Sequence, residues 1–147
     1  MKFLCDQMLG SLAIWLRIIG YDTSYAENAH DDEIIIQSKQ ENRILLTRDK
    51  AIKRTYESAL LINSTNLHDQ IQQVVHEFGL TFEDTRVLSR CTVCNVSVYP
   101  VEKLALKNSV PMHAYESHQH FWQCPSCGRI YWKGSHWENI QRFIGTL

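Results

Sequence analysis

The sequence predicts an α/β protein: a mostly parallel sheet flanked by helices, followed by a smaller unit that contains four cysteines. Over the first 80 residues, short apolar runs alternate with runs of helical spacing, which is the pattern of βαβ units. The charge then changes along the chain. Residues 1–86 carry 9 Lys+Arg, 13 Asp+Glu and one cysteine. Residues 87–147 carry 6 Lys+Arg, 3 Asp+Glu and four cysteines. We therefore expect two domains, 1–86 and 87–147.

The elements of the first domain follow from its apolar spacing. The predicted strands are the short apolar runs Lys2–Cys5, Thr23–Tyr25, Ile44–Thr47 and Ala59–Ile62. The predicted helices run from Leu9 to Ile19, from Asp31 or Asp32 to about Asn42, from Asp49 to Tyr56, and from Asn66 to Phe78. Aspartate or asparagine can cap three of these helices, and Gly20 and Gly79 stand where helix-ending glycines belong. Ile34–Ile36 also fits a strand.

Beyond a connector at Thr81–Arg90, the pattern changes to turns and short strands. Valines alternate imperfectly over residues 96–101, and two short apolar runs, Phe121–Gln123 and Ile130–Trp132, flank a pair of cysteines. Ser135 is the predicted cap of a last helix. The apolar face of that helix would consist of Trp137, Ile140, Phe143 and Ile144.

The four late cysteines form two Cys-x-x-Cys pairs, Cys91/Cys94 and Cys124/Cys127. Two such pairs supply four thiolates to a tetrahedral Zn²⁺, and a filled set of protein ligands makes the ion structural. Gly128 follows the second pair, where a tight turn favours glycine. Free thiols, a disulfide or a redox pair are the alternatives. A histidine could also replace one ligand, and the candidates are His113, His118, His120 and His136.

Basic and aromatic residues are interleaved near the second cysteine pair. The basic ones are Arg129, Lys133 and Arg142, and the aromatic ones are Tyr131, Trp132 and Trp137. Cations beside flat rings suit phosphate contacts and base stacking. The same aromatic rings could instead build a small core around the zinc.

Acidic residues follow three of the predicted strands. Asp6 follows the first strand, Asp49 follows the third, and Asp31, Asp32 and Glu33 lie after the second. Ligand sites of open α/β folds lie at the carboxyl ends of parallel strands, so these carboxylates can converge. Such an oxygen-rich cluster suits Mg²⁺ or Mn²⁺. Helix capping is the alternative role, and one carboxylate can serve both purposes.

Three separated motifs resemble the Mut-seven C-terminal ribonuclease domain family, a PIN-like nuclease fold followed by a zinc ribbon. They are KFLCDQMLGSLAIWLRIIGYD at 2–22, RILLTRD at 43–49 and FWQCPSCGRIYWKGSHW at 121–137. The resemblance extends from residue 2 to about residue 140. It implies cleavage of RNA that depends on a divalent metal, with Mg²⁺ or Mn²⁺ held by acids at the strand ends. The zinc ribbon would help to hold the RNA.

The resemblance implies roles for individual residues. Asp6, Asp32 and Asp49 match the catalytic and metal-binding acids, with Asp31 and Glu33 as rivals for the middle position. Thr47 and Arg48 would order the site, and Arg48 or Arg17 would contact a phosphate. Many PIN-like nucleases have a fourth acid after the next strand, where this chain has asparagines at positions 63 and 66. The site would then hold one tightly bound ion rather than two.

Composition and charge exclude several other classes. The chain has 147 residues, 44% of them apolar and 21% charged, which excludes a disordered or fibrous protein. No apolar run approaches the roughly 20 residues of a membrane span, and no signal peptide is recognisable, so we expect a cytoplasmic protein. Two other functions stay open: a non-catalytic RNA- or ribosome-associated binding protein, and metal-dependent phosphoryl chemistry on small molecules. The latter lacks the Asp-x-Asp that haloacid-dehalogenase-type phosphatases need after the first strand.

Overall fold

The computed structural model describes residues 1–147 and confirms the predicted α/β architecture. Its larger sheet consists of β1 (Lys2–Cys5), β2 (Asp22–Tyr25), β3 (Ile44–Thr47) and β4 (Leu60–Leu61). All neighbouring strands are parallel, in the order β2-β1-β3-β4. Four helices accompany this sheet: α1 (Gly10–Ile18), α2 (Asp31–Gln40), α3 (Lys50–Thr55) and α4 (Leu67–Phe78). None of the chain's helices combines the length and the apolar character that crossing a bilayer would need.

The strands alternate their side chains between two apolar layers. Phe3 and Cys5 of β1 pack with buried residues of α1 and α4, and Leu46 of β3 lies in the same layer. Leu4 and Leu45, from the same two strands, pack on the opposite face with residues of α2 and α3. The two central strands are therefore buried on both faces, which explains their nearly continuous apolar sequence.

Polar residues determine the start of α3 as expected, whereas the expectations for α2 need correction. Asp49 caps α3, and its Oδ1 accepts a hydrogen bond of 2.6 Å from the Ala51 N–H. The expected cap of α2 at Asp31 or Asp32 is wrong, because His30 holds the cap position and its N–H donates to Glu33 at 2.9 Å. The alternative strand within α2 is also wrong, because these isoleucines are helical and bury one side of the helix against the sheet.

The C-terminal part has a small antiparallel sheet and two further helices. The sheet contains β5 (Tyr99–Val101), β6 (Phe121–Gln123) and β7 (Ile130–Tyr131) in that order. The helices are α5 (Met112–Ser117) and α6 (Ser135–Ile144). Ser135 is the first residue of α6 rather than its cap, because Gly134 holds the cap position. The predicted apolar face of α6 packs back on α1, where the ring centroids of Phe143 and Trp15 are 4.2 Å apart.

A network of hydrogen bonds joins the first cysteine pair to the outer side of β2. The Arg17 guanidinium donates to the carbonyl of Thr23 at 2.8 Å and to that of Thr92 at 2.8 Å. Asn95 accepts from the Thr23 N–H at 2.9 Å and donates to the Asp22 carboxylate at 2.7 Å. These bonds satisfy backbone groups of an edge strand that would otherwise be exposed. The guanidinium of Arg17 is therefore part of this joint between β2 and the segment of the first cysteine pair.

Gly20 is required by its contacts as well as by its backbone conformation. It has φ +95°, and a Cβ there would lie 2.5 Å from the Arg86 carbonyl oxygen. Gly79 is also left-handed, with φ +59°, but nothing lies within 4 Å of the position that a Cβ would take.

We expect Gly79→Ala to lower the unfolding free energy by about 1 kcal/mol, through the backbone conformation alone. Gly20→Ala should cost about 3 kcal/mol, because the connector backbone must also move. Urea unfolding of the zinc-loaded variants tests this difference, and equal costs would contradict it.

Candidate metal centres

The carboxyl ends of β1 and β3 mark the point where the chain changes direction within the sheet. From β1 the chain passes to β2 on one side, and from β2 it crosses to β3 on the other side. Ligand sites of open α/β sheets lie in the crevice that such a reversal creates. Asp6 directly follows β1, Thr47 ends β3, and Asp49 lies two residues further on. Two of the predicted site acids are thus positioned at this crevice by the topology.

Asp6 is a buried carboxylate with only neutral partners. Its side chain accepts hydrogen bonds from the Gln7 N–H at 2.6 Å and from the Thr47 hydroxyl at 2.9 Å. The residue is 4% exposed, and no Lys, Arg or His nitrogen lies within 4.0 Å of its oxygens. Burying a carboxylate without a cationic partner is costly, so the location of Asp6 is unusual for a purely structural residue.

Thr47 connects Asp6 with the backbone that carries Asp49. Its hydroxyl donates to the Asp6 carboxylate and accepts from the Asp49 N–H at 2.9 Å. Thr47 is fully buried, so this arrangement is shielded from solvent. One Asp49 oxygen caps α3, and its other oxygen accepts no hydrogen bond from the protein. Each carboxylate therefore keeps acceptor capacity for another ligand.

The acids at the start of α2 lie beside this crevice. Asp31 and Asp32 are exposed and line an open cleft together with Gln7, the residue after Asp6. Neither carboxylate accepts a hydrogen bond from the protein, whereas Glu33 is used to cap the helix. Asp6, Asp32 and Asp49 do not form a group with all ligand atoms within 4.8 Å of one another. Their assignment as one site stays a prediction.

Arg48 lies between Thr47 and Asp49 and has an unsatisfied donor. Its Nε is buried without a hydrogen-bond partner, and no carboxylate oxygen lies within 4.0 Å of its guanidinium.

Asn66, one of the residues near the position of the missing fourth acid, uses its side-chain oxygen to cap α4. That oxygen accepts from the His68 N–H at 2.9 Å. The side-chain oxygen of Asn66 is thus already used to cap a helix.

The four cysteines form a compact group that could hold a zinc ion. All four sulfur atoms of Cys91, Cys94, Cys124 and Cys127 lie within 4.8 Å of one another. The distance from Cys91 Sγ to Cys127 Sγ is 3.8 Å, which equals the edge of about 3.8 Å in a tetrahedron with Zn–S bonds of about 2.3 Å. The predicted cysteine ligand set is therefore brought together, and none of the candidate histidines belongs to the group.

Hydrogen bonds orient these sulfurs as in a metal site. The N–H groups of Cys94 and Cys127 each point at the first sulfur of their own pair at 3.4 Å, and the Tyr131 hydroxyl donates to Cys91 at 3.1 Å. Burial raises the pKa of Cys91, but hydrogen bonds from Tyr131 and backbone N–H groups outweigh this effect and lower it to about 6. The sequence indicates Tyr131 only as an aromatic residue near the cysteines. The contact of its hydroxyl with Cys91 depends on the register of β7, which the sequence does not show.

One comparison with known proteins identifies the family of the chain. No curated protein and no solved structure matches the chain. The sequence profile of the Mut7-C RNAse domain matches residues 1–144 of the 147. This match confirms the family that the three motifs predicted, and the name of the family indicates a ribonuclease role. The chain belongs to the Mut7-C RNAse domain family.

Proposed function

We propose that the protein is a divalent-metal-dependent ribonuclease that hydrolyses RNA phosphodiester bonds at the crevice between β1 and β3. The observation that carries this proposal is the buried, cation-free carboxylate of Asp6, which Thr47 links to the Asp49 backbone. For a carboxylate in such a location, attraction to a bound cation offsets the hydration free energy that was lost on burial. The ribonuclease role of the family supplies the substrate class.

The donor set of the crevice fits Mg²⁺ or Mn²⁺. Asp6, Asp49 and Asp32 offer only oxygen atoms, which hard divalent ions prefer, and Asp31 or Glu33 could take the place of Asp32. When bound, such an ion would activate water and neutralise charge on the phosphodiester. In this arrangement Asp6, Asp32 and Asp49 are the catalytic acids.

Thr47 and Arg48 would support these acids. Thr47 holds one Asp6 oxygen by its hydroxyl, and thereby fixes the direction in which the remaining lone pairs of that carboxylate point. The guanidinium of Arg48 has no carboxylate partner and is only half-buried, so its terminal nitrogens suit a phosphate oxygen of the substrate, with which a guanidinium forms strong bonds. Arg17 would not take part, since its guanidinium bonds the carbonyls of Thr23 and Thr92.

The remaining parts of the proposal concern organisation and compartment. Residues 1–86 would form the PIN-like nuclease domain, and residues 87–147 would form a zinc ribbon that stabilises the fold and helps to bind RNA. Free thiols arranged for zinc are typical of the reducing cytoplasm, which is where we expect the protein to act.

A second candidate function is non-catalytic binding of RNA or of the ribosome. The absence of an acidic group with all ligand atoms within 4.8 Å of one another and the capping role of Asn66 favour it. A cleavage assay on the zinc-loaded protein distinguishes the two functions. With single-stranded and structured RNAs, the ribonuclease proposal expects products with Mg²⁺ or Mn²⁺ and none without either ion. Binding without cleavage of any RNA would support the second function instead.

Thr47 offers a test of how the site is positioned. Thr47→Val removes the hydroxyl that donates to Asp6, so we expect kcat to fall about tenfold and the unfolding free energy to fall by about 1–3 kcal/mol. Thr47→Ser keeps the hydroxyl and should recover kcat to within about twofold. Steady-state kinetics and urea unfolding provide the measurements. If Val and Ser give the same kcat, the hydroxyl does not position Asp6.

A further inference from the structure

A cavity of about 330 Å³ separates the connector from the small sheet. Its lining includes connector residues between positions 84 and 89, and Pro100, Trp122, Trp132 and Lys133 from the part around the small sheet. Its volume is within the range of small-molecule sites, although toward the lower end. Space of this size suits one flat ring system rather than an extended ligand.

The aromatic side chains of this cavity are held in place but not fully covered. Trp122 and Trp132 are half-buried, and Trp122 is the direct cross-strand neighbour of Pro100. A Cβ at position 134 would lie 2.9 Å from the indole nitrogen of Trp132, so Gly134 allows that ring to lie close to the turn. The cavity therefore presents fixed, partly exposed ring surfaces, which are suited to stacking.

Lys133 adds an uncompensated positive charge beside these rings. Its ammonium lies 6.0 Å from the ring centroid of Trp122 and 4.1 Å from that of Trp137, and no carboxylate oxygen lies within 4.0 Å. The acid of the lining, Asp84, accepts a hydrogen bond of 3.3 Å from Gln141. Flat rings next to a free cation match the two components of a nucleotide, its base and its phosphate.

We propose that this cavity binds one base of single-stranded RNA, stacked on Trp122 or Trp132, with the adjacent phosphate paired to Lys133. This inference rests on the proposed function in so far as RNA is the substrate. The connector meets the far end of α1, where the Leu88 N–H donates to the Ile18 carbonyl at 2.7 Å, whereas Asp6 precedes the start of that helix. The nine residues of α1 span about 14 Å, so an RNA must be several nucleotides long to reach both sites.

Binding without cleavage tests this subsite. In an Asp6→Asn background with zinc bound and no Mg²⁺ or Mn²⁺, fluorescence anisotropy reports the affinity for a labelled mixed-sequence 12-mer. At least one of Trp122→Leu and Trp132→Leu should weaken binding at least fivefold, as expected from about 1–3 kcal/mol per stacked base, and the matching Phe variant should weaken it less. Lys133→Ala should reduce the salt dependence by about 0.7 in logarithmic slope, and the exposed Lys107→Ala is the matched control.

An abasic 12-mer separates stacking from phosphate contact, and we expect it to bind the unsubstituted cavity at least about fivefold more weakly. Zinc content and melting temperature identify variants that fail to fold; if Trp122→Leu fails, Trp132→Leu and Lys133→Ala decide the question. Affinity unchanged in folded variants would overturn the subsite, whether or not the protein cleaves RNA. Intact, cavity-dependent binding with no metal-dependent cleavage by the wild-type protein would overturn only the proposed function.

Discussion

Asp6→Asn should lower metal-dependent RNA cleavage by at least about 100-fold, because an amide removes an anionic oxygen from the proposed cation site. Asn keeps the size of the side chain and can still accept the hydrogen bond from the Gln7 N–H. Asp49→Asn should have a comparable effect. Asn caps helices as well as Asp does, so α3 should persist and any loss of activity would not reflect a lost cap.

Glu57→Gln is the matched control for these two variants. Glu57 is an exposed acid between α3 and β4, away from the carboxyl ends of the strands. This change removes the same charge and should leave kcat/KM within about twofold of the wild-type value. Initial rates at several Mn²⁺ concentrations provide the measurement, with zinc content as a check of folding. If both aspartate variants cleave RNA as fast as Glu57→Gln, the assignment of the acids is wrong.

Removing zinc should unfold the C-terminal part of the chain. The cysteine group joins the segment before β5 to the turn between β6 and β7, and structural zinc contributes about 10–16 kcal/mol of apparent binding free energy in zinc-finger peptides. Chelation, or Cys124→Ala, should therefore remove the circular dichroism signal of α5 and α6. The parallel sheet and its helices should also lose stability, because the hydrogen bonds from Arg17 to Thr92 and from the Thr23 N–H to Asn95 would be lost.

Cys5→Ala is the control for the loss of a cysteine. Cys5 is buried in the core between the parallel sheet and α1 and α4, and is not part of the cysteine group. This variant should keep one zinc per chain, whereas Cys124→Ala should keep none, as measured by elemental analysis of the purified proteins. A C-terminal part that stays folded without zinc would contradict the structural role of the ion.

The sequence predicts best where local signals agree with the tertiary structure. Helix α4 is predicted with both ends, because Asn66 caps it, Gly79 ends it in the left-handed conformation and its apolar spacing is regular. All four members of the cysteine group are also predicted correctly, because the two-residue spacing within each pair is what lets both thiolates bind one zinc ion.

Other features depend on contacts that the sequence does not encode locally. The six-residue helix α5 is too short for a recognisable apolar period. The contact of α6 with α1 and the burial of Arg17 against the first cysteine pair arise from packing across 75 or more positions of sequence. The relation of Asp32 to Asp6 depends on where the start of α2 lies, which spacing alone does not determine.

Anomalous diffraction at the manganese edge tests the central proposal most directly. Crystals of the zinc-loaded protein soaked in Mn²⁺ should show a peak about 2.0–2.3 Å from an Asp6 oxygen, with Asp49 or Asp32 as a further ligand. The same crystals should show zinc only among the four cysteines, which serves as an internal control. A clear zinc peak with no manganese at Asp6 would contradict the proposed catalytic centre.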